Sequence, residues 1–110
     1  MEKSKIETYL GFCVRARKIA FGVEEAEKQR KGVFLLIHDK TLGESSAKIM
    51  RKAQQTLACP MLISDEGVLG ERLHRFGVKA VAIKDKNLAA AILAAIESEP
   101  QFKLYSGGNN

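Results

Sequence analysis

Apolar residues recur along this chain with two periods, and the switching between them lays out its elements. Ile6, Leu10, Cys13 and Val14 return at three- and four-residue steps, the spacing of one helix face, and predict an amphipathic first helix over residues 3–16. A short extended piece, residues 18–21, leads to Gly22. Residues 24–31 then place glutamates first and lysine and arginine last, the order that suits a helix dipole, and Gly32 closes this second helix. The unbroken apolar run Val33-Phe34-Leu35-Leu36-Ile37 is that of a central strand covered on both faces.

After a loop at residues 38–43, Ser45 or Ser46 can cap a third helix reaching Leu57, with Ile49, Ala53 and Leu57 inward. Pro60 stops it and opens a strand at residues 61–64. Ser64 or Asp65 starts a fourth helix over residues 65–75, with Val68, Leu69 and Leu73 inward and Gly77 closing the turn. Residues 78–83 form the last strand, and the Ala-rich residues 88–96 the last helix. Strands alternating with helices throughout predict the α/β class, a three-layer α-β-α sandwich with a sheet of about four strands. Residues 1–99 read as one domain, and residues 100–110, ending Ser-Gly-Gly-Asn-Asn, have the composition of a flexible tail.

Composition narrows the function. A chain of 110 residues, 45% hydrophobic, is long enough to close a core without disulfides or metal. No apolar run approaches the length of a membrane span, and the N-terminus lacks the apolar segment of a secretion signal. Cys13 and Cys59 stand apart in apolar settings, so neither a disulfide framework nor a zinc site is expected, and a reducing cytoplasm suits both. Eighteen bases against thirteen acids leave a net charge of +5, which favours polyanionic partners. Eight of the bases and five of the acids fall within residues 1–31, so more than half of the excess lies in the first third.

Catalysis has little to stand on. Asp39, Ser64 and Lys84 fall at or just after strand ends, where α/β folds hold ligands, and resemble the acceptor, hydroxyl and lysine of a response-regulator receiver. That site also needs an acidic pair for Mg²⁺ after its first strand, where this chain has Gly22-Val23. No histidine neighbours Cys13, and there is neither a Gly-rich phosphate loop nor a nucleophile elbow. No catalytic residue, metal or cofactor is expected.

The segment from Arg15 to Lys28 carries the most information. Gly22 opens a helix and permits close backbone approach, while Arg15, Arg17 and Lys18 supply charge for phosphates. Glu24 and Glu25 can accept from base amino groups and Lys28 can donate to a guanine edge, with Lys31 one turn further on. The same spacing also suits plain Glu24–Lys28 and Glu27–Lys31 pairs on a solvated helix.

The pattern Lys18-Ile19-x-x-Gly22-x-x-Glu25-x-x-Lys28, with the strand after Gly32, Asp39, Leu57-x-x-Pro60 and Leu69-Gly70, resembles the ribosomal protein L-seven-Ae, L-thirty-e and S-twelve-e superfamily over roughly residues 5–97. Its bacterial YlxQ-like branch is the most similar. The resemblance implies an α-β-α sandwich that binds kinked RNA, either ribosomal RNA or a kink-turn, alongside ribosomal or translation proteins. By position, Gly22, Glu25 and Lys28 match the family's RNA-reading segment, while Glu24 stands where the family has Asn. A carboxylate only accepts, whereas the amide also donates. The resemblance further implies a contact at the loop before the last strand, here Arg75-Phe76-Gly77-Val78, with Phe76 over an unpaired base and Arg75 at phosphate. Phe76 also keeps a helical step from Leu73 and reads equally as a last core residue. The alternative for the whole chain is a protein-interaction module on the same fold that binds RNA weakly or not at all.

Overall fold

Ser4 begins the described structure in the manner its side chain dictates. The computed structural model describes residues 3–106. The Ser4 hydroxyl accepts the Glu7 N–H at 3.0 Å and donates to Glu99, whose carboxylate takes the Ile6 N–H at 3.0 Å. Free donors at the start of helix α1 (Lys5–Arg15) are thereby satisfied. The chain continues as β1 (Ile19–Phe21), α2 (Val23–Lys28), β2 (Leu35–Asp39), α3 (Glu44–Leu57), β3 (Met61–Ser64), α4 (Val68–Leu73), β4 (Ala80–Ile83), α5 (Lys86–Ala95), a 3₁₀ turn (Ile96–Ser98) and β5 (Phe102–Ser106).

Alternation along β2, which is buried throughout, builds the layers. Leu35 and Ile37 pack with Ile6 and Leu10 of α1, Leu69 of α4 and Ile92 of α5. Leu36 faces the other way, onto Ala26 of α2 and Met50 of α3. Helices therefore cover both faces of one sheet, an α/β sandwich.

The strand order is β1-β4-β2-β3-β5. β2 and β3 are parallel, while β4 runs antiparallel to both β1 and β2, and β5 antiparallel to β3. The carboxyl ends of β1, β2 and β3 thus share one end of the sheet, the Gly22 end, and their amino ends share the other, the Lys18 end.

Several expectations are corrected. The sheet has five strands rather than four, because residues 102–106 of the expected tail pair with β3 and bury Phe102. Residues 107–110 lie outside the described residues. The second helix stops at Lys28, where Gln29 turns extended, so Lys31 and Gly32 belong to the connection into β2. His38 and Asp39 are strand rather than loop. Gly43, not Ser45 or Ser46, is the residue ahead of α3, whose buried face is Ala47, Met50, Ala53 and Gln54. α4 begins only at Val68, after Gly67 has taken a positive φ of 76°. Among the described residues no helix is long and apolar enough to cross a membrane.

Candidate nucleic-acid interface

The junction of β1 and α2 is made by one glycine. Gly22 adopts φ 95°, a conformation costly for any residue with a Cβ, and its N–H donates to the Ala80 carbonyl at 2.8 Å. The chain passes directly from strand to helix there, and an added Cβ would meet nothing within 4 Å. Glu24 and Glu25 follow on the first turn, both exposed. Neither pair that helical spacing suggested forms. Lys28 Nζ lies 3.2 Å from the Glu25 carboxylate instead, and Glu24 has no hydrogen bond or ion pair among the described residues. An exposed pair of this kind contributes about 0.3–0.5 kcal/mol and yields readily to a ligand.

A second piece of the rim is the turn between α4 and β4. His74 ends the helix at φ 56°, the Arg75 N–H donates to Gly70 at 2.9 Å, and the Val78 N–H closes on Arg75 at 3.2 Å. Gly70 makes room for this folding back, since a Cβ there would lie 3.1 Å from the Arg75 carbonyl. The turn is thus held against its own helix while Phe76, at its tip, is 85% exposed. Val78 packs half-buried against the core and Gly77, exposed, takes φ 96°.

The two pieces meet through Arg75, whose guanidinium lies 4.5 Å from the centre of the Phe21 ring, the residue just before Gly22. Sequence reasoning overlooked Phe21 as a platform, although its place beside the glycine was visible. Arg15 stacks 4.9 Å over Phe12 and lines, with His74 and Arg75, a groove of about 750 Å³. The imidazole of His74 is 2.6 Å from the Glu7 carboxylate in that groove.

The structure therefore gathers Gly22, Glu24, Glu25, Lys28, Arg75, Phe76, Gly77 and Val78 around the Gly22 end. It does not bring Arg15, Arg17, Lys18 or Lys31 there, since Arg15 ends α1 and the Lys18 N–H donates to the Cys13 carbonyl of that helix at 2.9 Å. Lys18 precedes β1, about 13 Å from Gly22 along the extended strand, and Lys31 follows the far end of α2.

The residues weighed for chemistry are separated or already engaged. Lys84 follows the antiparallel β4 and so lies at the Lys18 end, away from Asp39 and Ser64. Asp39 is buried and accepts from the Thr41 N–H at 2.8 Å, the Thr41 hydroxyl at 2.6 Å and the Gly67 N–H at 2.6 Å. Burial works to raise its pKa, but those hydrogen bonds and the charge of Lys79 outweigh it and hold the carboxyl below its usual range. Burial pushes the Cys13 thiol up to about 11, with the charge of Asp85 adding to the effect, and burial does the same to Cys59, also to about 11. Both thiols stay protonated at neutral pH. Among the described residues, no three His, Cys, Asp or Glu side chains are placed to hold a metal.

No family model and no curated protein matches this chain. Among solved structures it is similar to a protein of unknown function from Bacillus halodurans, at 21% identity and a TM-score of 0.74, over 86% of this chain and 99% of that one. At that identity the likeness is one of fold.

Proposed function

We propose that this chain is a cytoplasmic RNA-binding protein that takes kinked or structured RNA, ribosomal or kink-turn, at the Gly22 end and acts by holding RNA shape rather than by catalysis. The observation that carries the reading is the Arg75–Phe21 contact, which couples the turn bearing the exposed Phe76 to the Gly22 junction. An aromatic held clear of the core beside a glycine-bared backbone is a platform for one unpaired base. With only six residues, α2 adds little through its dipole, so stacking and Arg75 carry the binding.

Phe76→Ala tests this directly. Losing a stacking platform is expected to weaken binding to a kink-turn RNA about tenfold, while a plain duplex is unaffected. The thermal midpoint should not move, because Phe76 buries almost nothing. Unchanged kink-turn affinity overturns the proposal.

The unpaired, exposed Glu24 favours the second reading, a protein-interaction module, since a free carboxylate at this rim repels phosphate. Glu24→Asn separates the two. An RNA-binding rim gains affinity for the kink-turn when the charge goes, whereas a module binds kink-turn and duplex equally weakly with either residue.

A further inference from the structure

The cations that the Gly22 end lacks are collected at the opposite end. Ile83, the last residue of β4, sits between Ile19 of β1 and Leu35 of β2. The residues just beyond these three, Lys18, Lys84 and Phe34, therefore form a row across the sheet, about 10 Å wide at the usual strand spacing. The Lys84 N–H donates to the Lys18 carbonyl at 2.8 Å and the Phe34 N–H to Ile83 at 2.9 Å, which fixes the row. Arg17 flanks it on one side, Arg30 and Lys31 on the other, and Lys86 opens α5 beside it.

None of these six cations is ion-paired: among the described residues no carboxylate lies within ion-pair distance of any of them. Asp85, in the midst of the group, spends an oxygen on the Leu88 N–H at 2.8 Å as the cap of α5. Arg30 reaches only the Glu27 carbonyl, at 3.3 Å. Repulsion within such a group is relieved by a polyanion, and the counterions released favour binding.

Phe34 says which polyanion. It is 38% exposed and lines a groove of about 380 Å³ with Arg30, Lys31 and Pro60. A duplex keeps its bases stacked inside and has no use for a ring there, whereas an unpaired strand offers a base to the ring and phosphates to the lysines. We infer that the Lys18 end is a second RNA surface that takes a single strand, with phosphates on Lys18, Lys31 and Lys84 and a base against Phe34. The inference rests on the reading of the chain as an RNA binder and adds a site remote from the first.

The test uses a twelve-nucleotide oligouridylate, a duplex of the same length and a kink-turn RNA, measured at several salt concentrations. Replacing Lys18, Lys31 and Lys84 together by Gln should weaken oligouridylate binding at least about tenfold and flatten its salt slope by about 2, at some 0.7 per phosphate contact. Phe34→Leu, which keeps apolar bulk, should weaken it about fivefold with an unchanged slope. Neither change should alter kink-turn affinity as Phe76→Ala does. Oligouridylate binding indifferent to both variants overturns this inference and leaves the first site standing. Duplex binding as tight as oligouridylate binding, with Phe34→Leu silent, overturns the single-strand assignment. If oligouridylate binding falls as expected while Phe76→Ala leaves kink-turn affinity unchanged, the first site fails and the second holds. Urea unfolding of each variant identifies any loss that comes from misfolding.

Discussion

Asp39 shows how a residue at a strand end can be fully spent on structure. Its three accepted hydrogen bonds tie the end of β2 to Thr41 and to the turn before α4, from which the Phe76 turn hangs. Its pKa is held below the ordinary value of 3.8, so the unfolded chain takes up the proton first as pH falls. The stability it contributes is therefore present above 3.8 and is lost as pH drops through the lower folded value. Asp39→Ala should cost about 2 kcal/mol at pH 7, because two N–H groups and a hydroxyl lose a charged acceptor. In urea unfolding the gap between wild type and variant should be constant well above pH 3.8 and narrow as the pH falls below it. A gap that stays constant with pH would mean that the charge contributes nothing. None of this was legible in the sequence, where Asp39 stood as a strand-end acid, weighed as a phosphoacceptor and as part of the family pattern. Phe76 was left open there for a definable reason. Its step from Leu73 is helical, but His74 turns left-handed at φ 56° and takes the chain out of register before Phe76 is reached. A left-handed histidine has no reliable sequence signature.

Among the elements, β5 was the one the sequence concealed. Phe102-Lys103-Leu104-Tyr105-Ser106 does alternate, yet Pro100 ahead and two glycines and two asparagines behind give the stretch a tail's composition. The strand lies antiparallel along β3, the Gln101 carbonyl takes the Asp65 N–H at 2.8 Å, and Phe102 is among the largest fully buried side chains. Phe102→Ala should therefore lower stability by about 3–5 kcal/mol in thermal or urea unfolding, the usual cost of emptying such a site. A loss under about 1 kcal/mol would return these residues to the tail that composition implied. The longer elements were readable because they carry a clear period or an unbroken apolar run, as Ile6, Leu10 and Cys13 on α1 and Leu35, Leu36 and Ile37 on β2 do. Boundaries failed where a backbone cap replaced a side-chain one, at Gly43 before α3 and Gly67 before α4, since glycine there looks no different from glycine in a loop.

For the molecule as a whole, folding sorts charges that sequence had placed side by side. Lys18 and Gly22 are four residues apart, but β1 runs between them, so the basic α1–β1 turn and the basic α2–β2 connection come out together at the Lys18 end. Glu24, Glu25, Asp39, Asp65 and Glu66 fall at the Gly22 end, on or just beyond the carboxyl ends of β1, β2 and β3, beside Lys40 and Lys79. The excess of base in the first third thus lies largely at the Lys18 end rather than beside Gly22. A difference in salt response follows for the two proposed RNA sites. Binding at the Lys18 end, to oligouridylate, meets cations with no carboxylate partner and should show a log–log salt slope of about −2 to −3 for three or four phosphates. Binding of a kink-turn at the Gly22 end depends more on Phe76 and less on charge, with nearby acids offsetting Arg75, Lys40 and Lys79, and its slope should be shallower by about 1 or more. Affinities of wild type for both RNAs between about 50 and 200 mM salt measure the two slopes on one protein. Equal slopes would mean that both RNAs use the same surface, and the division of the sheet into a stacking end and a charged end would have to be given up.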